Sequence, residues 1–182
     1  MKIETKCLHA GYKPKNGEPN ALPIYQSTTY RYDSTEHIGK LFDLSVEGHM
    51  YSRISNPTVA AVEEKIAALE GGVGALCTTS GQAASLISIL NILHAGDHLV
   101  CSAKIYGGTI NLFAVTIKKM GIECTFIDPD APEEEIQKAF KENTKAVFGE
   151  TIANPSIEVF DIEKFAKIAH KNGVPLIVDN TF

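Results

Sequence analysis

From Asn56 onward, apolar and polar positions switch between two periods. Five short runs are apolar enough to predict buried strands: GALCT (74–78), HLVCS (98–102), IECTFID (122–128), KAVFGET (145–151) and VPLIVD (174–179). Segments of helical period separate them. In NPTVAAVEEKIAALEGG (56–72), Asn56 is the expected N-cap, Pro57 the first helical residue and Gly71 the stop, with Val59, Val62, Ile66 and Leu69 as the apolar stripe. Further helices are expected in SGQAASLISILNILHAGD (80–97), GGTINLFAVTIKKMG (107–121), PEEEIQKAFKEN (132–143) and DIEKFAKIAHKNG (161–173). On the last of these, Ile162, Phe165, Ala166 and Ala169 share one face.

Strand–helix alternation with strands this apolar predicts an α/β fold: a three-layer, mostly parallel sheet covered by helices on both faces. Residues 1–55 follow a different pattern. One helix is expected around Thr35–Leu44, with Asp33 and Glu36 spaced as a capping-box variant; the remainder, including ALPIYQSTTYRY and EGHMYSRIS, is polar-aromatic with little periodicity. Tyrosines are poor residues to leave in water. The expected organisation is therefore an N-terminal arm over 1–55 that packs on a neighbouring subunit, followed by the sheet domain over 56–182.

Composition narrows the function classes. The chain has 182 residues and a net charge of −5, and its densest charge run, Glu133–Glu135, is acidic. Nucleic acid and anionic membrane surfaces both call for basic patches, so neither is an expected partner. The longest apolar stretch, ASLISILNIL, is too short and too polar to span a bilayer. The four cysteines show no C-x-x-C spacing, and His94 and His98 are separated by a turn-forming Ala-Gly-Asp, so no metal site is expected. Cys77 and Cys101 fall in strand-like runs, where a buried thiol is the ordinary role, and a reducing cytoplasm is the expected location.

In open α/β sheets, ligands gather beyond the carboxyl ends of the strands. After GALCT comes TSGQAAS, where Ser80 and Gly81 open a helix whose free N–H groups suit a phosphate. A plain Ser-capped helix accounts for the same letters. After HLVCS, Tyr106 precedes two glycines; after KAVFGE, Asn154 precedes Pro155; after VPLIV comes Asp179. A carboxylate leaving a buried strand needs a partner: a Lys or Arg, a metal, a ribose hydroxyl or a cationic ring nitrogen. The ribose option would suit a nucleotide-binding oxidoreductase. Against it, GGVGAL (71–76) places its glycines before a strand, where a dinucleotide fingerprint places them after one.

YSRISNPT, TTSGQAA, YGGTINLF, ETIANPS and VDNTF, in this order, resemble the Cys/Met-metabolism group of pyridoxal-phosphate enzymes, and the likeness runs from LHAGY to the final residue. The resemblance implies the large domain of a fold-type I transferase with pyridoxal 5′-phosphate as cofactor. In it, Asp179 would pair with the pyridine nitrogen, Tyr106 would stack on the ring and move protons, and Asn154 would stand near the ring's 3′ oxygen. Ser80, Gly81 and Gln82 would cradle the phosphate, with Tyr51 and Arg53 reaching the phosphate of a neighbouring subunit. The implied reaction is γ-replacement: O-acetyl-L-homoserine and sulfide to L-homocysteine and acetate, in a cytoplasmic homotetramer with shared sites. Cystathionine γ-synthase, cystathionine γ-lyase and methionine γ-lyase activities are the alternatives. Gly108 stands where methionine γ-lyases commonly carry cysteine, which disfavours that one.

Family members join the cofactor to a lysine beyond the strand that ends in DNTF, and no lysine of these 182 residues has that setting. The resemblance thus implies the N-terminal part of a large domain, incomplete at its C-terminus and lacking the lysine segment and the small domain. Alone it is not expected to catalyse; a non-catalytic cofactor-binding domain of the same fold is the further alternative.

Overall fold

The computed structural model describes residues 1–182, which form two compact units, Met1–Cys77 and Thr78–Phe182. The first contains helices α1 (Ile3–His9), α2 (Thr35–Phe42) and α3 (Pro57–Glu70), joined by irregular chain. α3 starts as the sequence predicts. Asn56 Oδ1 accepts the Thr58 N–H at 2.9 Å, Pro57 occupies the first turn, and Gly71 closes the helix in the left-handed region at φ 68°. Asn56 Nδ2 donates to Tyr25 O, Tyr30 Oη and Ser52 Oγ, so one amide both caps a helix and ties down the aromatic segment before it. Lys6 Nζ donates to Ala68 O and Lys65 Nζ to Cys7 O, which holds α1 against α3.

Two expectations for this unit change. The N-cap of α2 is Ser34, whose Oγ accepts the His37 N–H; Asp33 lies outside, and Glu36 pairs with Lys40 at 2.8 Å along the helix. A capping-box spacing read one residue early explains the difference. The GALCT run is not a strand. Residues 74–78 are irregular, Leu76 is 72 % exposed, and Cys77, expected to be buried, is exposed. No other strand of the chain pairs with this run, so its apolar residues stay in solvent.

The second unit is built on four parallel strands: β1 (His98–Ser102), β2 (Glu123–Ile127), β3 (Thr144–Glu150) and β4 (Leu176–Asp179), in the order β2-β1-β3-β4. Its helices are α4 (Gly81–Ile92), α5 (Gly107–Asn111) running through a π turn (Leu112–Thr116) into α6 (Ile117–Lys119), α7 (Glu133–Lys138) and α8 (Ile162–Lys171). Side chains alternate across the strands. Leu99, Cys101, Ala146 and Phe148 pack with Ile89 and Leu93 from the α4 segment and with Phe113 and Ile117 from the α5–α6 segment. Val100 and Val147 point the other way, to Ile136 of α7 and Phe165, Ile168 and Ala169 of α8. Helices thus cover both faces, the three-layer arrangement the alternation predicts. α4 stops at Ile92, earlier than expected, because Leu93 turns to extended backbone; Gly96, at φ 95°, then makes the left-handed turn into β1.

The sheet carries a buried polar cross-tie near its amino end. His98 is fully buried, with Nδ1 2.8 Å from Thr144 Oγ1 and Nε2 2.8 Å from Thr125 Oγ1, so one ring joins β1 to both neighbours. Thr144 Oγ1 also accepts the Lys141 N–H, leaving its own proton for Nδ1 and placing the ring proton on Nε2.

Candidate active site

The carboxyl ends of the parallel strands, with the start of α4, enclose a cleft of about 340 Å³ lined by Ser80, Gly81, Gln82, Tyr106, Glu150, Asn154, Asp179, Thr181 and Phe182. Six of the eight residues expected from the sequence meet here: Ser80, Gly81, Gln82, Tyr106, Asn154 and Asp179. Tyr51 and Arg53 belong to the first unit, where the Arg53 guanidinium lies 5.1 Å from the centre of the Tyr51 ring.

At the start of α4, Ser80 Oγ accepts the Ala83 N–H at 3.1 Å and Ser80 O accepts the Ala84 N–H at 3.0 Å. The N–H groups of Gly81 and Gln82 find no acceptor in the protein and remain available at the positive end of a twelve-residue helix. No atom lies within 4 Å of the place a Gly81 Cβ would take, so an anion can approach that backbone closely.

Asp179 ends β4. Its Oδ1 accepts the Thr181 N–H at 3.2 Å and the Thr181 hydroxyl at 2.6 Å, while Oδ2 takes no hydrogen bond. No lysine or arginine pairs with it. A half-buried carboxylate at a cleft, with one oxygen free of hydrogen bonds, suits a cationic ligand. No three His, Cys, Asp or Glu side chains gather to hold a metal ion.

Tyr106 is held by its main chain. Its carbonyl accepts the N–H groups of Thr109 and Ile110 at 2.9 and 3.0 Å, and its own N–H donates to Glu150 Oε2 at 2.6 Å. Its ring folds back over Gly108, where an added Cβ would stand 2.4 Å from Cε1. Buried Thr109 accepts from Gln82 Nε2 at 2.9 Å. The tips of β3, α5 and α4 are thereby linked through one chain of hydrogen bonds.

Glu150 is the residue that sequence reasoning missed. It is 2 % exposed, and β-sheet register sets it beside Asp179. Burial, then the nearby Asp179 carboxylate, pushes its pKa above the ordinary glutamate value, against the opposing pull of the Tyr106 N–H. The available signal was the one that drew attention to Asp179: a charge at the last position of an apolar strand.

Comparison with known proteins identifies the family. A family model described as Cys/Met metabolism PLP-dependent enzyme matches residues 4–182. The chain is 51 % identical over 182 residues to an O-acetyl-L-homoserine sulfhydrylase of Corynebacterium glutamicum, covering 98 % of this chain and 41 % of that protein. A homocysteine/cysteine synthase of Saccharomyces cerevisiae is 47 % identical over 183 residues, with 99 % and 41 % covered. Among solved structures, a putative O-acetylhomoserine (thiol)-lyase of Campylobacter jejuni, with N′-pyridoxyl-lysine-5′-monophosphate in its chain, superposes at TM-score 0.92 and 38 % identity. It covers all of this chain and 44 % of its own. The chain thus spans about 41 % of the length of the curated relatives it matches. With the family model covering nearly every residue, from the aromatic segment through the strand ends that line the cleft, the chain belongs to the Cys/Met-metabolism family of pyridoxal-phosphate-dependent enzymes.

Proposed function

We propose that this chain is the cofactor-binding part of an enzyme that converts O-acetyl-L-homoserine and sulfide to L-homocysteine and acetate. The printed activities of the relatives support the reaction, and the cleft supports the cofactor. The observation that carries the reading is the pairing of opposite charge preferences across one cleft. Asp179 Oδ2 is free for a cation, and the unspent N–H groups of Gly81 and Gln82 are free for an anion. Pyridoxal phosphate has a basic ring nitrogen, which when protonated donates, and a phosphate, which accepts, so its two ends match the carboxylate acceptor and the N–H donors.

In this reading the Gly81 and Gln82 N–H groups and the Ser80 hydroxyl hold the phosphate, aided by the helix dipole. Asp179 keeps the ring nitrogen protonated, since an adjacent negative charge favours the charged form. When bound, the cofactor supplies an electron sink for the bonds around the substrate's α-carbon. Tyr106 lies with its ring over the cleft and its hydroxyl at hand to carry a proton, and the Asn154 amide is a donor for the ring's 3′ oxygen. Residues 1–55 act as an arm on a neighbouring subunit, with Tyr51 and Arg53 directed to that subunit's phosphate, while 56–182 carry this subunit's part of the site. Exposed apolar residues on α3, Val59, Val62 and Ile66, support an oligomer, for which a cytoplasmic homotetramer is the form we propose.

The test is Asp179→Ala in the full-length protein, assayed with O-acetylhomoserine and sulfide and, separately, with cystathionine. Turnover of the first pair should fall sharply while the circular dichroism spectrum stays unchanged. Undiminished turnover in the variant would remove Asp179 from its role, and wild-type preference for cystathionine would move the reaction to another member of the family.

A further inference from the structure

Glu150 has no part in the proposed chemistry, yet it is the most buried carboxylate in the chain and borders the cleft. Burying such a group is strongly unfavourable unless it is compensated. The compensation here is a single contact: Glu150 Oε2 accepts the Tyr106 N–H at 2.6 Å, across 44 residues of sequence. Tyr106 precedes α5, so its N–H lies outside the helix and has no helical carbonyl to donate to. Its ring lies over Gly108, 48 % exposed, with no side-chain hydrogen bond to hold it. With no hydrogen bond at its hydroxyl, the ring depends on packing over Gly108 and on where its main chain is held.

We propose that Glu150 is a positioning residue for Tyr106: the carboxylate at the tip of β3 grips the Tyr106 N–H and so fixes the ring over the cleft. This deepens the proposed function, on which it rests. The neighbouring contacts point the same way. The Tyr106 carbonyl is tied to the first turn of α5, and Thr109 in that turn is tied to Gln82 at the start of α4. The Glu150 contact closes this chain onto β3, whose core packing, like that of β1, spans both faces of the sheet. Without it, the Tyr106 N–H loses its one acceptor, and the loop keeps its hold further back, at the Ala103 N–H on Ile127 O, the Lys104 ion pairs and buried Ile105.

The experiment compares Glu150→Gln and Glu150→Ala in the full-length protein by two readouts other than turnover. The first is hydrogen exchange in peptides spanning Tyr106. The second is affinity for pyridoxal phosphate, followed by its absorption during titration. Gln keeps an acceptor oxygen, so Glu150→Gln should retain slow exchange at Tyr106 and affinity within about threefold. Glu150→Ala should speed that exchange at least tenfold and weaken affinity about tenfold. In a Tyr106→Ala background the loss from Glu150→Ala should vanish, because the ring it positions is gone. Equal exchange and affinity in wild type and Glu150→Ala would overturn the proposal, as would an undiminished loss in the Tyr106→Ala background. Global unfolding of Glu150→Ala alongside a Gln variant that behaves as Ala does would also overturn it. A wild-type protein that binds no pyridoxal phosphate would sink the functional reading, whatever the exchange data show.

Discussion

Gly108→Ala separates the position of the Tyr106 ring from the stability of the fold. An added Cβ would stand 2.4 Å from Tyr106 Cε1 and 3.1 Å from Cδ1 and Cζ, whereas ordinary contact begins near 3.4 Å. Either the ring retreats by about 1 Å or the helix start moves. The ring is half-exposed and its hydroxyl makes no hydrogen bond, so it yields before the helix start does. Gly108 also has an ordinary negative φ, so alanine fits its backbone without strain. Replacing a glycine in such a conformation adds roughly 0.4–1 kcal/mol of stability through the unfolded chain. A displacement of about 1 Å at a reacting group lowers rate by about 100-fold, equivalent to about 2.7 kcal/mol of barrier. The expected result in the full-length protein is therefore a kcat/KM for O-acetylhomoserine and sulfide reduced about 100-fold, with a melting temperature equal to or above wild type. Adding Tyr106→Ala should cause no further loss beyond that of Tyr106→Ala alone, since both changes act through one ring. Near-wild-type kcat/KM in Gly108→Ala, or additive losses in the double variant, would refute this account.

Gly149→Ala tests the opposite situation, where the neighbour cannot yield. Its Cβ would meet Phe160 Cζ at 2.4 Å and Cε1 at 2.5 Å, and that ring is 5 % exposed and stacked on Phe165 at 4.4 Å. Overpacking of this kind should cost about 1–3 kcal/mol in chemical denaturation; wild-type stability would contradict it. His98 should make stability depend on pH. Burial, then the Lys141 ammonium, depresses its pKa, so the neutral ring contributes stability that is complete above about pH 6.5, the unfolded value, and is lost as pH falls through the depressed folded value. The urea midpoint should drop between pH 8 and 5, with a smaller drop in His98→Gln; parallel curves would dismiss the role.

What could be read from the letters followed from how local each feature is. The start of α3 was legible because Asn56, Pro57 and Gly71 act within one turn of their own positions. β1 and β3 were legible because burial on both faces demands continuous apolar runs. GALCT has the same composition, yet apolarity does not say which strand will pair with it, and in this chain none does. The cleft was legible wherever a residue type announces its chemistry at a strand end, as Tyr106 and Asp179 do. Glu150 escaped because its meaning depends on a main-chain N–H brought back from residue 106, and a backbone group leaves no mark in the sequence.

The two carboxylates at this end of the sheet show how position divides labour between like groups. Glu150 and Asp179 are register partners on adjacent strands, so their charges repel if both ionise. Burial loads the cost onto Glu150, the member enclosed by protein and turned to a backbone N–H; its pKa rises, and Asp179 raises it further. Glu150 thus carries the unfavourable burial, while Asp179 keeps one oxygen free of hydrogen bonds at the cleft. A ligand with a positive ring nitrogen would find an open acceptor there. The same burial that makes Glu150 a poor partner for a ligand makes it a firm one for the Tyr106 main chain, because a hydrogen bond shielded from water has no solvent competitor. One acid can then hold the loop while its neighbour keeps an oxygen open to a ligand, and exchanging their positions along the strands would undo both arrangements.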